Sequence, residues 1–142
     1  MSAGTGITHS EYNHEDVETN IYQIWILPKS RGIDPRWDTA EFPNDVVADS
    51  LPLLVSGDES TPLQINQDAR IYAGRLTDGQ KLNHSIEGKA YLLVAEGEAK
   101  VGTIDAVKGD GIAISNESSV AIEAKGETEI LVIEVPGLVE AR

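Results

Sequence analysis

Cysteine is absent from the 142 residues. That excludes a disulfide framework and thiol chemistry, and it fits a reducing compartment. No run of about eighteen apolar residues occurs, so no membrane span is expected. The N-terminus has neither the basic nor the apolar region of a signal peptide, which makes the cytoplasm the expected location. Basic residues are scarce: 11 Lys and Arg stand against 24 Asp and Glu, for a net charge of −13. Nucleic-acid binding needs a positive footprint, so no nucleic-acid partner is expected. No serine occupies a Gly-x-Ser-x-Gly elbow, and hydrolase chemistry has no support. Ser2-Ala-Gly-Thr-Gly6 lacks the third glycine of a dinucleotide fingerprint and the Gly-Lys-Ser/Thr of a P-loop. No window carries a helical apolar stripe, so helices should be few and short.

What is present is a core and a rhythm. Forty per cent of the residues are apolar, enough for one packed domain. Ile21–Pro28 reads as a strand, rich in β-branched and aromatic residues and ended by Pro28. Residues 29–46 read as a connector that tucks Trp37 and Phe42 onto a core. From residue 47 short apolar runs alternate with turns. The predicted strands are Asp49–Ser56, Leu63–Ile65, Ala69–Leu76, Gln80–Ile86, Ala90–Ala95, Glu98–Val101, Ile112–Ser115, Val120–Ala124 and Glu129–Val135. The turn signals are Gly57-Asp58, Asp78-Gly79, Glu87-Gly88, Glu96-Gly97, Gly102, Lys108–Gly111 and Lys125-Gly126. Turns at eight-to-twelve-residue spacing imply a sandwich or barrel. Val120, Ile122 and Ala124 share one face, whereas Glu129–Val135 reads as buried on both. The order of strands and glycine turns from Gln80 to Val135 resembles a cupin barrel. The expected fold is therefore all-β: a jelly-roll-like cupin β-barrel over residues 47–142 without its own metal site, a connector over 29–46, and an N-terminal strand arm over 1–28.

The chemistry concentrates at His9-Ser-Glu11. On a strand, residues i and i+2 point to one face, so an imidazole nitrogen and a carboxylate oxygen can converge on one cation. Two donors rarely hold a divalent metal; three or four are usual. His14 follows a polar turn and reads as solvated. His84 reads as structural or exposed. The alternative for His9 and Glu11 is a solvated or hydrogen-bonded pair without metal. Two chains about a two-fold axis would bring two such pairs together as a two-histidine, two-carboxylate site. Tyr22, Trp25, Trp37 and Phe42 read as core or interface anchors first, and as the lining of a small aromatic ligand's pocket second. Glu11, Glu15, Asp16 and Glu18 read as an acidic solvated loop.

Three stretches carry a resemblance to a known family: Met1–Asn13, Tyr22-Gln-Ile-Trp-Ile-Leu-Pro28 and Arg31-Gly-Ile-Asp-Pro-Arg-Trp37. They resemble the pirins, and the looser strand rhythm extends the likeness over essentially the whole chain. The resemblance implies a bicupin whose Fe(II) or other divalent transition metal sits in the N-terminal barrel on three histidines and a glutamate. His9 and Glu11 match the third histidine and the glutamate; the early two-histidine motif has no counterpart here. Some family members open the quercetin ring with O₂, and others are described as protein-binding regulators. On that reading Glu11 is both metal ligand and candidate catalytic base, and His9 is a ligand. The chain then corresponds to a C-terminal fragment, a truncated product or an alternative start. The missing ligands favour a non-catalytic, oligomeric binding or structural domain over a flavonol dioxygenase. Unpaired strand edges and the apolar Ile21–Leu27 run predict a homodimer formed through the arm.

Overall fold

A computed structural model describes residues 1–57 and 60–136. Asp58 of the expected Gly57-Asp58 turn and the last six residues of the expected barrel lie outside these. The fold is all-β, with no helix among the described residues and so none long and apolar enough to cross a membrane. The strands are β1 (Leu53–Ser56), β2 (Leu63–Gln64), β3 (Arg70–Leu76), β4 (Lys81–Ser85), β5 (Lys89–Val101), β6 (Ile104–Val107), β7 (Gly111–Ile114) and β8 (Ser119–Val135).

They form one eight-stranded sheet in the order β2-β1-β3-β8-β5-β6, with β4 on β8 and β7 on β5. Two long strands organise it. The second half of β8 lies between β3, with Ala73 opposite Leu131, and the first half of β5, with Leu92 opposite Val132. The first half of β8 pairs with β4, His84 opposite Val120, and with the end of β5, Val101 opposite Ile122. The sheet thus curls around one core, and no pairing among the described residues closes the ladder into a ring.

The expected turns at Glu96-Gly97 and Lys125-Gly126 do not break the chain into separate strands. Each falls inside a continuous strand, 13 residues in β5 and 17 in β8. The register between β5 and β8 shifts at Val94–Glu96 and again at Glu96–Glu98, which identifies bulges rather than hairpins. Gly97 there has φ +75°, and a Cβ would meet the Glu127 carbonyl oxygen at 2.1 Å. Only glycine accepts both the left-handed backbone and the approach. Thr128, 3% exposed, clasps the bulge by donating its hydroxyl to the Glu98 carbonyl at 2.7 Å. Strand β6 was not expected; of its four residues only Ala106 is buried, so its pattern is weak.

The core gathers Leu76, Leu92, Val94, Ile122, Ile130 and Val132, all below 2% exposed. Each such side chain contributes about 1.5–3 kcal/mol on burial. Alternation along β8 puts Ile130 and Val132 inside and leaves Leu131 and Ile133 half-covered, so this strand is fully buried on one face only. Gly74 faces Val47 and Leu51, whose side chains occupy the space a Cβ would need.

The expected N-terminal strands do not form. Residues 1–52 carry only two isolated bridges, Ser2 with Arg36 and Val46 with Arg75. β-Branched and aromatic residues favour a pleated surface, but a strand exists only beside an edge that takes its hydrogen bonds. Nor do the arm and connector aromatics enter the core: Tyr22, Trp25 and Trp37 are 53%, 86% and 71% exposed, and Phe42 is half-buried.

Candidate functional site

The arm is fastened to the β1–β2–β3 end of the sheet by a few polar contacts. Ser2 and Arg36 exchange backbone hydrogen bonds at 2.8 and 3.0 Å. The Lys29 amide donates to the Asn66 carbonyl at 2.7 Å, and the Gln67 side-chain amide donates to the Leu27 carbonyl at 2.8 Å. The Lys29 ammonium reaches Asp68 at 2.5 Å. Gly4, with φ +54°, lets the chain pass against Ile33, whose carbonyl oxygen lies 2.3 Å from where a Cβ would stand.

This fastening encloses a cleft of about 640 Å³ between arm and sheet, within the range of small-molecule sites. His9 and Glu11 line it, with Tyr22 and Trp25 from the arm and Val55 and Ile71 from the sheet. The sequence pairing of His9 with Glu11 is therefore realised, although on an irregular segment and not on a strand. His9 Nε2 lies 4.0 Å from Glu11 Oε1, and the side chains are 37% and 53% exposed. Just beyond, Asn13 Oδ1 accepts from the Glu15 amide at 2.9 Å and Asn13 Nδ2 donates to the Val17 carbonyl at 2.7 Å, which closes a local turn at the start of the acidic loop.

His14 does not join the pair; it stands beside Tyr12, with ring centroids 6.1 Å apart. Trp37 and Phe42 are not among the lining residues. No group of three or more His, Cys, Asp or Glu able to hold a metal occurs among the described residues. The donor types, one imidazole and one carboxylate, suit a divalent transition metal. Their number does not: these residues by themselves do not fit a closed metal centre.

A second polar cluster lies inside the sheet. His84 Nε2 and Glu134 Oε1 are 2.9 Å apart, with side chains 7% and 5% exposed. Glu134 also accepts from the Glu87 amide at 3.3 Å. Tyr72 packs edge-on against the His84 ring at 4.7 Å between centroids. Arg70 bonds the outer Glu87 carboxylate. Burial, followed by the negative field of Glu134, raises the Tyr72 hydroxyl above its ordinary pKa, with Arg70 opposing. The hydrogen bond that the Arg70 guanidinium donates to Glu87 is the main cause that raises its pKa. His84 is therefore structural and buried. Its partner was missed in the sequence, where the available signal was one carboxylate interrupting the apolar run Ile130–Val135.

Residues 53–135 match the family described as the quercetinase C-terminal cupin domain. A quercetin 2,3-dioxygenase of Escherichia coli K12 is 34% identical over 139 residues, covering 96% of this chain and 59% of that protein. A pirin-like protein of Caulobacter vibrioides is 35% identical over 138 residues, covering 94% of the chain and 60% of the relative. The chain thus spans about 60% of the length of these relatives. Among solved structures, Escherichia coli YhhW superposes with a TM-score of 0.71 at 25% identity, over 82% of this chain and 50% of that one. The same bacterial pirin has been solved in complex with nickel(II), with the same TM-score over 80% of this chain and 49% of that one. The strand architecture, the specific arm motifs and these matches together establish that the chain belongs to the pirin family and carries its C-terminal cupin fold.

Proposed function

We propose that this polypeptide, taken alone, is a non-catalytic pirin-type binding or structural domain that presents half of a divalent-metal site. The observation that carries the reading is the His9–Glu11 pair, 4.0 Å apart at a solvent-open cleft, with no third donor grouped with it among the described residues. On this reading residues 1–28 are the ligand-bearing arm, 29–46 the connector and 47–142 the barrel. Tyr22 and Trp25 would receive a small aromatic molecule in the cleft. The lack of cysteine suits a reducing cytoplasm. The metal would be Fe(II), as the family resemblance implies, or another divalent ion such as the nickel(II) bound to YhhW.

The names of the relatives favour a second reading, a metal-dependent quercetin 2,3-dioxygenase. A bound metal would supply the Lewis acid, with His9 as ligand and Glu11 as ligand and base. That activity requires donors beyond the two this chain groups. Oxygen uptake with quercetin, measured with Fe(II) or Ni(II) added, separates the two readings. The lone chain is expected to give no turnover above metal alone. Turnover abolished by Glu11→Ala would overturn the proposal in favour of the enzyme.

A further inference from the structure

The cleft between arm and sheet combines an apolar floor, aromatic side chains and a loosely held cation. We propose that it binds an aromatic monocarboxylate, with the ring packed between the sheet and the arm aromatics and the carboxylate bonded to Arg36. The inference rests on the aromatic-binding reading of the cleft above, and it names the charged group such a molecule must carry.

The floor follows from strand register. Leu63 of β2 stands opposite Val55 of β1, and Val55 stands opposite Ile71 of β3. All three are half-buried and line the cleft. Neighbouring strands lie about 4.8 Å apart, so these side chains form an apolar strip about 10 Å wide, room for a fused ring. Tyr22 and Trp25 line the same cleft from the arm, and Trp25 leaves 86% of its surface uncovered. A flat ring held between strip and arm would remove apolar surface on both sides from water.

Arg36, which also lines the cleft, is fixed at its backbone and loose at its side chain. Its amide donates to the Ser2 carbonyl at 3.0 Å, and its carbonyl accepts from the Ser2 amide at 2.8 Å. Its guanidinium meets Gln64 Oε1 and Asp38 Oδ2 at 3.4 Å each, beyond the usual range for such bonds. Lys29 and Lys125, by comparison, hold their carboxylate partners at 2.5 and 2.7 Å. A guanidinium has five donors, so two long contacts leave most of them for a ligand. The side-chain nitrogen of Gln64 beside it has no acceptor among the described residues. Together these donors match the two oxygens of a carboxylate. Charge limits the ligand to one such group. Glu11 and Asp38 line the cleft as well, and the chain carries −13, so a second anionic group would be repelled.

Calorimetric titration of the chain with 2-naphthoate and with 2-naphthamide, which keeps the rings and lacks the charge, tests this. The acid is expected to bind about tenfold or more tighter than the amide, the worth of a charge-assisted hydrogen bond. Arg36→Gln should bring the acid down to the affinity of the amide. Arg36→Lys, which keeps the charge and loses the planar fork, should fall between. Trp25→Ala should weaken acid and amide alike. Amide ¹H–¹⁵N shifts on adding the acid should centre on Gln64 and Ile71. The acid–amide comparison uses the parent chain, so it decides the question even where a variant fails to fold. Equal affinity for the two, acid binding unaffected by Arg36→Gln, shifts centred elsewhere or no binding of either would each overturn the proposal. The outcomes also separate this inference from the reading beneath it. Equal affinity leaves an aromatic cleft without an anion anchor, whereas no binding of either removes the aromatic cleft too. Quercetin turnover would remove the non-catalytic role and leave the carboxylate comparison standing.

Discussion

Removing both members of the His84–Glu134 pair should cost clearly less than the sum of removing each alone. The two side chains meet at 2.9 Å and are 7% and 5% exposed, and Glu134 also holds the Glu87 amide at 3.3 Å. In His84→Leu, the Glu134 carboxyl keeps only the long contact to Glu87. In Glu134→Leu, the imidazole loses its acceptor and remains enclosed beside Tyr72. A buried polar group left without its partner costs about 1–3 kcal/mol, and about 3–5 kcal/mol where the survivor stays charged. The double variant leaves neither group behind; what it loses is the acceptor of the Glu87 amide, on a residue whose side chain is 73% exposed. Its total loss should therefore fall at least about 1.5 kcal/mol below the sum of the singles. Urea unfolding reads this directly. With a slope of about 1–3 kcal/mol per molar, each single variant should unfold about 0.3–3 M earlier. Losses that add within about 0.5 kcal/mol would show that the pair is not energetically coupled, and the argument from burial would fail.

Two further outcomes follow from the same sheet. Gly97→Ala and Gly102→Ala both place a side chain at positive φ, which costs about 1–2 kcal/mol; no atom lies within 4 Å of a Cβ at Gly102, whereas Gly97 faces the Glu127 carbonyl. Urea midpoints should therefore put Gly97→Ala about 1–3 kcal/mol below Gly102→Ala, and equal losses would remove crowding as the cause. Tyr72 has its pKa raised, chiefly by burial. Its contribution to stability is fully present below the ordinary tyrosine pKa of about 10 and is lost as pH rises through the higher folded value. Stability measured from pH 9 upward should fall for the parent and fall less steeply for Tyr72→Phe.

Much of the sheet was legible because its signals are local. Alternation in β8 and the glycines that punctuate the chain locate most strands within a residue or two. The errors share one physical source: a glycine after a charged residue looks the same in a hairpin and in a bulge. At Gly97 and Gly126 the tertiary pairing, not the dipeptide, chose the bulge. Ile21–Leu27 failed for a related reason, since strand propensity without an adjacent edge yields no strand. His9 and Glu11 were readable as a pair because they stand two residues apart. Glu134 was not readable as the partner of His84, because 50 residues separate them and the ladder does not pair them: His84 stands opposite Val120 and Glu134 opposite Arg70 and Ala90, so only the curl of the sheet brings the two side chains together.

The continuity of β5 and β8 through their bulges has a mechanical consequence. Every other strand on the sheet path is anchored, directly or through one or two neighbours, to one of these two ribbons. Peeling away β3 and β1, or β6, exposes a segment of the same backbone that supports the opposite flank. Disruption at one end is thus transmitted along covalent bonds to the other, and the sheet should come apart as a single cooperative unit rather than by halves.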